Sequence, residues 1–229
     1  MPVIWGFDLS EMKWSAFGHK NMFDRRWHLR KERFIVYQLA MLIGLAAECT
    51  ATYSLSKYEK QQEHIENWTG GRATVKNNDI IDAEILTIIF CVFVATIFGA
   101  DFFFLLFFPR RRYPSWYVRT KKAMAVVISA GMLAAALMST IVVATGEADV
   151  RDVGPEEAQA LTDLFFRPPL QYNKWAVNIA YVCLLWPAFL ATAASTVIMF
   201  IAADHDERHG TEPKDLGSLS EKTSNGSRT

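Results

Sequence analysis

His205-Asp206-Glu207-Arg208-His209 places two histidines four residues apart, the spacing at which one helical face can hold zinc. The glutamate such a motif needs directly after its first histidine is missing, and no further Cys or His follows to complete a shell. The segment therefore reads as a solvated charge cluster. Ser54-Leu55-Ser56-Lys57 fits the Ser-x-x-Lys pattern of some acyl-transfer enzymes, but the companion motifs are absent. The sequence has no glycine-rich phosphate loop and no nucleophile elbow. The expectation is a protein that is not an enzyme and carries no metal or cofactor.

The elements that would position such residues follow from where charge clusters. A formal net charge of +0 and 51% hydrophobic residues would also suit a soluble domain, so averages decide nothing. The charged residues instead fall between four apolar stretches, at about 34–55, 85–108, 123–144 and 175–203. Each reaches the roughly 20 residues that a helix needs to cross about 30 Å of hydrocarbon. Lipid offers the backbone no hydrogen bonds, so these stretches must be helices. The expected fold is all-α, a polytopic membrane protein with a four-transmembrane-helix bundle over 34–203.

Residues 1–33 form an N-terminal segment in which Trp5, Phe7, Trp14, Phe17 and Trp27 interleave with basic residues. That composition favours the headgroup region, and a helix along the inner leaflet is expected there. The segment holds no long apolar run, so 34–55 is expected to serve as the insertion signal. Residues 204–229, rich in Ser, Thr, Gly and charge, are expected to form a disordered tail. Cys49, Cys91 and Cys183 fall inside spans, which implies no disulfide framework.

Orientation follows from the basic residues. Arg25, Arg26, Arg30, Lys31 and Arg33 precede the first span, and Arg110, Arg111, Arg112, Arg119, Lys121 and Lys122 lie between spans two and three. Short basic loops stay on the cytoplasmic side, so both termini are expected in the cytoplasm, at the plasma membrane or in the endomembrane system. The five cations before the first span and the Arg110-Arg111-Arg112 run are the expected contacts to anionic lipid, and nucleic acid is not an expected partner. Asn67-Trp68-Thr69 would then face glycosylation enzymes, whereas Asn225-Gly226-Ser227 would not. In the acid-rich connection after span three, Gly154-Pro155-Glu156-Glu157 reads as the start of a short helix. Ala158, Leu161, Leu164 and Phe165 would give it an apolar face laid on the membrane or the bundle.

Glu48 and Asp101 are the ionisable residues placed well inside spans, with Asp82 and Glu84 at the mouth of the second. Charge at mid-membrane costs at least about 2.5 kcal/mol, so such residues face the bundle interior and can mark a pathway. The alternative is a structural role, with either acid protonated or bonded to Tyr37, Tyr53, Thr96 or Thr192. Small residues four apart, Ala130 and Ala134 or Gly131 and Ala135 in span three and Ala188 and Thr192 or Ala191 and Ser195 in span four, allow close helix approach. Homo-oligomerisation through such faces stays open.

Four spans, a first span opening as Arg33-Phe34-Ile35-Val36-Tyr37-Gln38-Leu39 and a short basic hairpin between spans two and three together resemble the MARVEL family, particularly its fungal members. The resemblance covers roughly residues 30–203. It implies a non-enzymatic role in organising membrane domains, membrane apposition or vesicle traffic, with no catalytic residues to carry over. A small transporter using Glu48 and Asp101, or an accessory subunit of a larger membrane complex, are the competing readings.

Overall fold

The computed structural model describes residues 3–4, 7–8, 12–24, 26–109, 111, 113–165 and 168–210. Arg25, Arg110, Arg112, Asn225 and the tail from residue 211, on which several expectations rest, lie outside the described residues.

Four long helices dominate: α2 (Arg30–Trp68), α3 (Asn78–Phe107), α4 (Ser115–Thr145) and α6 (Ala176–His209). Each is long and apolar enough to cross a membrane, and the protein is an integral membrane protein built as an all-α four-helix bundle. α2 packs along α3 and α6, and α4 along the same two, so α2 and α4 stand diagonally opposite. Small residues line the seams. Ala40, Gly44, Ala47 and Ala51 run down the buried face of α2, and Gly131, Ala135, Ala188 and Thr192 are buried in α4 and α6. Ala130 and Ala134 instead face outward from α4. α6 continues through Pro187.

The even number of long helices puts the start of α2 and the end of α6 at one end of the bundle, here termed the terminal end. The opposite end carries a folded cap. α2 runs on well past the apolar stretch that ends near residue 55, and Gly70 and Gly71, both at positive φ, turn the chain back. β3 (Thr74–Lys76) then pairs antiparallel with β4 (Asp149–Arg151), which joins the loop after α2 to the loop after α4. Helix α5 (Pro155–Phe165) forms where the proline and acids predicted it, with Ala158 and Leu161 buried against the cap and Leu164 turned outward. Gln61 on the α2 extension donates to the Pro168 carbonyl at 2.6 Å, which ties the segment after α5 back to the bundle.

At the terminal end, the N-terminal segment is not the single surface helix expected from its composition. It comprises a two-stranded hairpin of β1 (Val3–Ile4) and β2 (Phe7–Asp8), a 3-10 turn at Trp14–Phe17 and one helical turn, α1 (His19–Met22). Gly18, in extended conformation at φ −62° and ψ 138°, separates the 3-10 turn from α1. Ala16, Met22 and Phe23 pack onto the bundle core, Phe17 meets the Phe107 ring edge-on, and Trp14 is left exposed.

Candidate functional site

Polar chemistry is buried at both ends of the bundle, and the two clusters are built differently. At the terminal end, Asp101 of α3 is 5% exposed and both its carboxylate oxygens are engaged. Lys121 of α4 donates to Oδ1 at 2.6 Å, while Arg33 and the Tyr37 hydroxyl of α2 donate to Oδ2 at 3.1 and 2.8 Å. Arg33 and Tyr37 share one face of α2 because residues four apart lie one above the other on a helix.

Tyr37 is one of the partners the sequence offers for Asp101, whereas the sequence places Arg33 among the lipid contacts. The structure corrects the second point. Arg33 is buried and turned inward because a carboxylate in a dry bundle is tolerable when its charge is matched and its lone pairs are bonded. Arg30 is likewise buried, over the Trp27 and Phe34 rings and donating to the Met22 carbonyl, so it fastens the N-terminal segment to α2. Arg26 is exposed but clasps Asp24 at 2.7 Å, and that hydrogen-bonded guanidinium holds the Asp24 carboxyl below its ordinary pKa. Lys31 is exposed, and Arg111 lies half-buried in the α3–α4 hairpin.

Glu48 does not join this cluster. It is half-buried on α2, about 22 Å along the helix from Arg33 at the rise of an α-helix. The two acids singled out from the sequence therefore do not form one site.

At the cap end, Ser54 donates to the Asn178 side-chain carbonyl at 2.7 Å, and the Asn178 amide donates to the Tyr58 hydroxyl and the Tyr172 carbonyl. Tyr172 donates to Asp79 at 2.7 Å. Burial first, then that hydrogen bond, raise the Tyr172 phenol pKa above its ordinary value. Ser54 is thus a packing hydroxyl, and Lys57 of the same Ser-x-x-Lys run lies over the Tyr53 ring. Beside this network stands Glu84, fully buried, with neither carboxylate oxygen hydrogen bonded among the described residues. The sequence had put Glu84 only at the mouth of the span. Its spacing with the buried Ile80, Thr87 and Cys91 is the signal that it faces inward.

Arg33 to Ser54 spans about 32 Å of helix, close to one hydrocarbon thickness of about 30 Å. Exposed Trp116 near the terminal end and exposed Tyr53 near the cap end match interfacial anchors at the two levels. Between them the buried side chains include Phe98, Val94, Met132, Ala136, Leu185 and Ala188, and among the described residues every buried charged group sits at one end or the other.

The histidines of the earlier motif also meet a third ring. His28 stacks on His205 at 3.8 Å between centroids and 11° between planes, and His205 stacks on His209. Rings stacked face to face hold their in-plane nitrogens side by side rather than convergent, and among the described residues no group of three His, Cys, Asp or Glu could hold a metal ion. Asn67 is exposed at the end of α2, whereas Thr69 of its sequon is buried and donates to the Ile65 carbonyl at 2.8 Å.

The chain matches no family model, no curated protein and no solved structure. The resemblance to MARVEL proteins therefore rests on the sequence features alone.

Proposed function

We propose that the protein is a non-enzymatic membrane organiser of MARVEL-like type, a rigid four-helix scaffold that works through its lipid-facing surface and its capped end. The observation that carries this reading is the state of Asp101. Its oxygens are already bonded to Lys121, Arg33 and Tyr37, and among the described residues the buried interior beyond it is uncharged until Glu84. A carboxylate locked between two cations supports a structural joint between α2, α3 and α4 rather than a group that gains and loses charge during transport.

Among the described residues the terminal end carries Arg26, Arg30, Lys31, Arg33, Arg111, Arg119, Lys121, Lys122 and Arg208, and the cap end carries the sparser cations Lys57, Lys60, Arg72, Lys76, Arg151 and Lys174 among acids such as Glu147, Asp149, Glu156 and Glu157. This asymmetry supports a cytoplasmic terminal end facing anionic lipid, in the plasma membrane or an endomembrane. The outward Ala130 and Ala134 offer a face for self-association.

The test is reconstitution of the labelled full chain in giant vesicles of phosphatidylcholine with phosphatidic acid. The expected result is protein-rich domains that gather the anionic lipid, with no proton or ion flux above protein-free vesicles. Evenly spread lipid, or flux that Asp101→Asn abolishes, overturns the proposal.

A further inference from the structure

A cavity of about 640 Å³ opens at the terminal end between the close of α3, the start of α4 and the end of α6. Its volume lies in the range of about 300–1,000 Å³ usual for small-ligand sites. Arg33, Arg111, Arg119, Lys121, Lys122 and Arg208 line it, against Asp101, Asp206 and Glu207. Arg33 and Lys121 are already paired to Asp101, and Lys122 to Asp204 just outside the lining, so the lining keeps a modest cationic excess carried by Arg111, Arg119 and Arg208. Its other wall is apolar, with Leu105, Phe108, Val118 and Met199.

Two buried donors on the lining have no hydrogen-bond partner among the described residues, Nε of Arg33 and the hydroxyl of Tyr113. Leaving such groups unpaired is costly, and an acceptor-rich anion would satisfy both. Ser115 on the lining is the first residue of α4, a long helix whose N-cap Pro114 makes no side-chain capping bond. Its first-turn N–H groups and positive dipole end add to the preference for an anion. The cavity lies at the level of Trp116, where a headgroup would sit, with its apolar wall leading toward the acyl chains.

We propose that this cavity is a binding site for one phosphomonoester-headed lipid, with the phosphate held by Arg33 Nε, the Tyr113 hydroxyl, Arg111 and Arg119 and the acyl chains laid along Leu105 and Met199. A phosphomonoester carries about −1.5 to −2 charge and three acceptor oxygens, which suits the cationic lining better than a singly charged diester. The site rests on the membrane reading but not on the organising role, since it requires neither domain formation nor a particular orientation.

Full-length protein in neutral detergent tests this by native mass spectrometry with phosphatidic acid, phosphatidylcholine and inorganic phosphate. The expected result is phosphatidic acid bound one per chain and at least about tenfold tighter than phosphatidylcholine. Arg111→Gln with Arg119→Gln is expected to weaken it about tenfold, and Tyr113→Phe about threefold with an unchanged melting temperature. Equal affinity for the two lipids, or no change in Tyr113→Phe and the double variant, overturns the site. Displacement of the lipid by equimolar inorganic phosphate overturns the lipid and makes the ligand free phosphate. Vesicle domain formation without one-to-one lipid binding would sink this inference while leaving the organising role standing.

Discussion

Arg33 and Asp101 stand 68 residues apart in the chain and 3.1 Å apart in the bundle, and neither is more than a tenth exposed. Lys121 closes the same carboxylate from the other side at 2.6 Å. The three charges tie together three of the four spans at a single level. A buried pair is weak evidence of net stabilisation, because desolvation offsets most of the attraction, but breaking it leaves uncompensated charge behind.

Asp101→Asn is therefore expected to be harmful rather than silent. The amide keeps a hydrogen bond from Tyr37 but leaves Arg33 and Lys121 unmatched, a loss of about 3–5 kcal/mol. Thermal unfolding in detergent should show a large fall in Tm, and Lys121→Met in the same chain should recover part of it. Glu48→Gln, half-buried and away from this cluster, should leave Tm within a degree or two of the parent. An unchanged Asp101→Asn would mean that the ion pairs do not form in the membrane.

The four spans were legible because run length and lipid chemistry leave the backbone no other choice, and α5 was legible from Pro155, Glu156 and Glu157. The partners of Asp101 were not. Arg33 and Lys121 stand just outside the apolar runs, where sequence statistics place lipid-facing cations. What could have identified Arg33 is its phase, since it shares the buried stripe of Phe34, Tyr37, Ala40 and Gly44. The cap was invisible for a different reason. β3 and β4 are three residues each and far apart in sequence, so their pairing is a tertiary event with no local pattern to announce it.

Gly131 is a packing requirement rather than a turn. A Cβ at this position of α4 would collide with the Phe90 ring of α3. Gly131→Ala should lower stability by about 1–3 kcal/mol, read as a drop in Tm. Adding Phe90→Leu should restore part of the loss by making room. A Gly131→Ala protein as stable as the parent would show that α3 and α4 do not approach this closely.

The cap joins two loops through Val75 and Val150, which lie directly opposite in the β3–β4 ladder. Opposed residues in an antiparallel pair are close enough for a disulfide, with Cα atoms about 4.5–5.5 Å apart. Val75→Cys with Val150→Cys should cross-link under mild oxidation, detected as a linked peptide by mass spectrometry. Lys76→Cys with Arg151→Cys, at opposite ends of the same ladder, should not. The reverse pattern would mean a different register.

Asn67 offers a test of orientation. It is exposed at the far end of the α2 extension, about 20 Å of helix beyond Ser54, so a glycan there would stand clear of the bilayer. In a eukaryotic expression host, glycosidase treatment should shift the mobility of the parent chain but not of Asn67→Gln. A shift that survives Asn67→Gln and disappears in Asn225→Gln would put the terminal end on the opposite side of the membrane from that proposed.

Glu84 separates burial for structure from burial for function. No group among the described residues hydrogen bonds its carboxylate oxygens, so removing them orphans nothing, while keeping them leaves the full desolvation penalty in place. Glu84→Met, similar in volume, should stabilise the bundle by about 1–3 kcal/mol, seen as a rise in Tm. Glu84→Gln should gain less, because its amide brings two donors into the same dry site. The neighbouring Ser54 hydroxyl gives its proton to Asn178, so it is not free to donate to the carboxylate, but its oxygen can accept from one N–H of the Glu84→Gln amide. If Glu84→Met instead lowers Tm, the carboxyl has a partner in the membrane and belongs to the cap network with Asn178 and Tyr58. If it raises Tm while vesicle domain formation is lost, the carboxyl is held at a stability cost for the protein's activity.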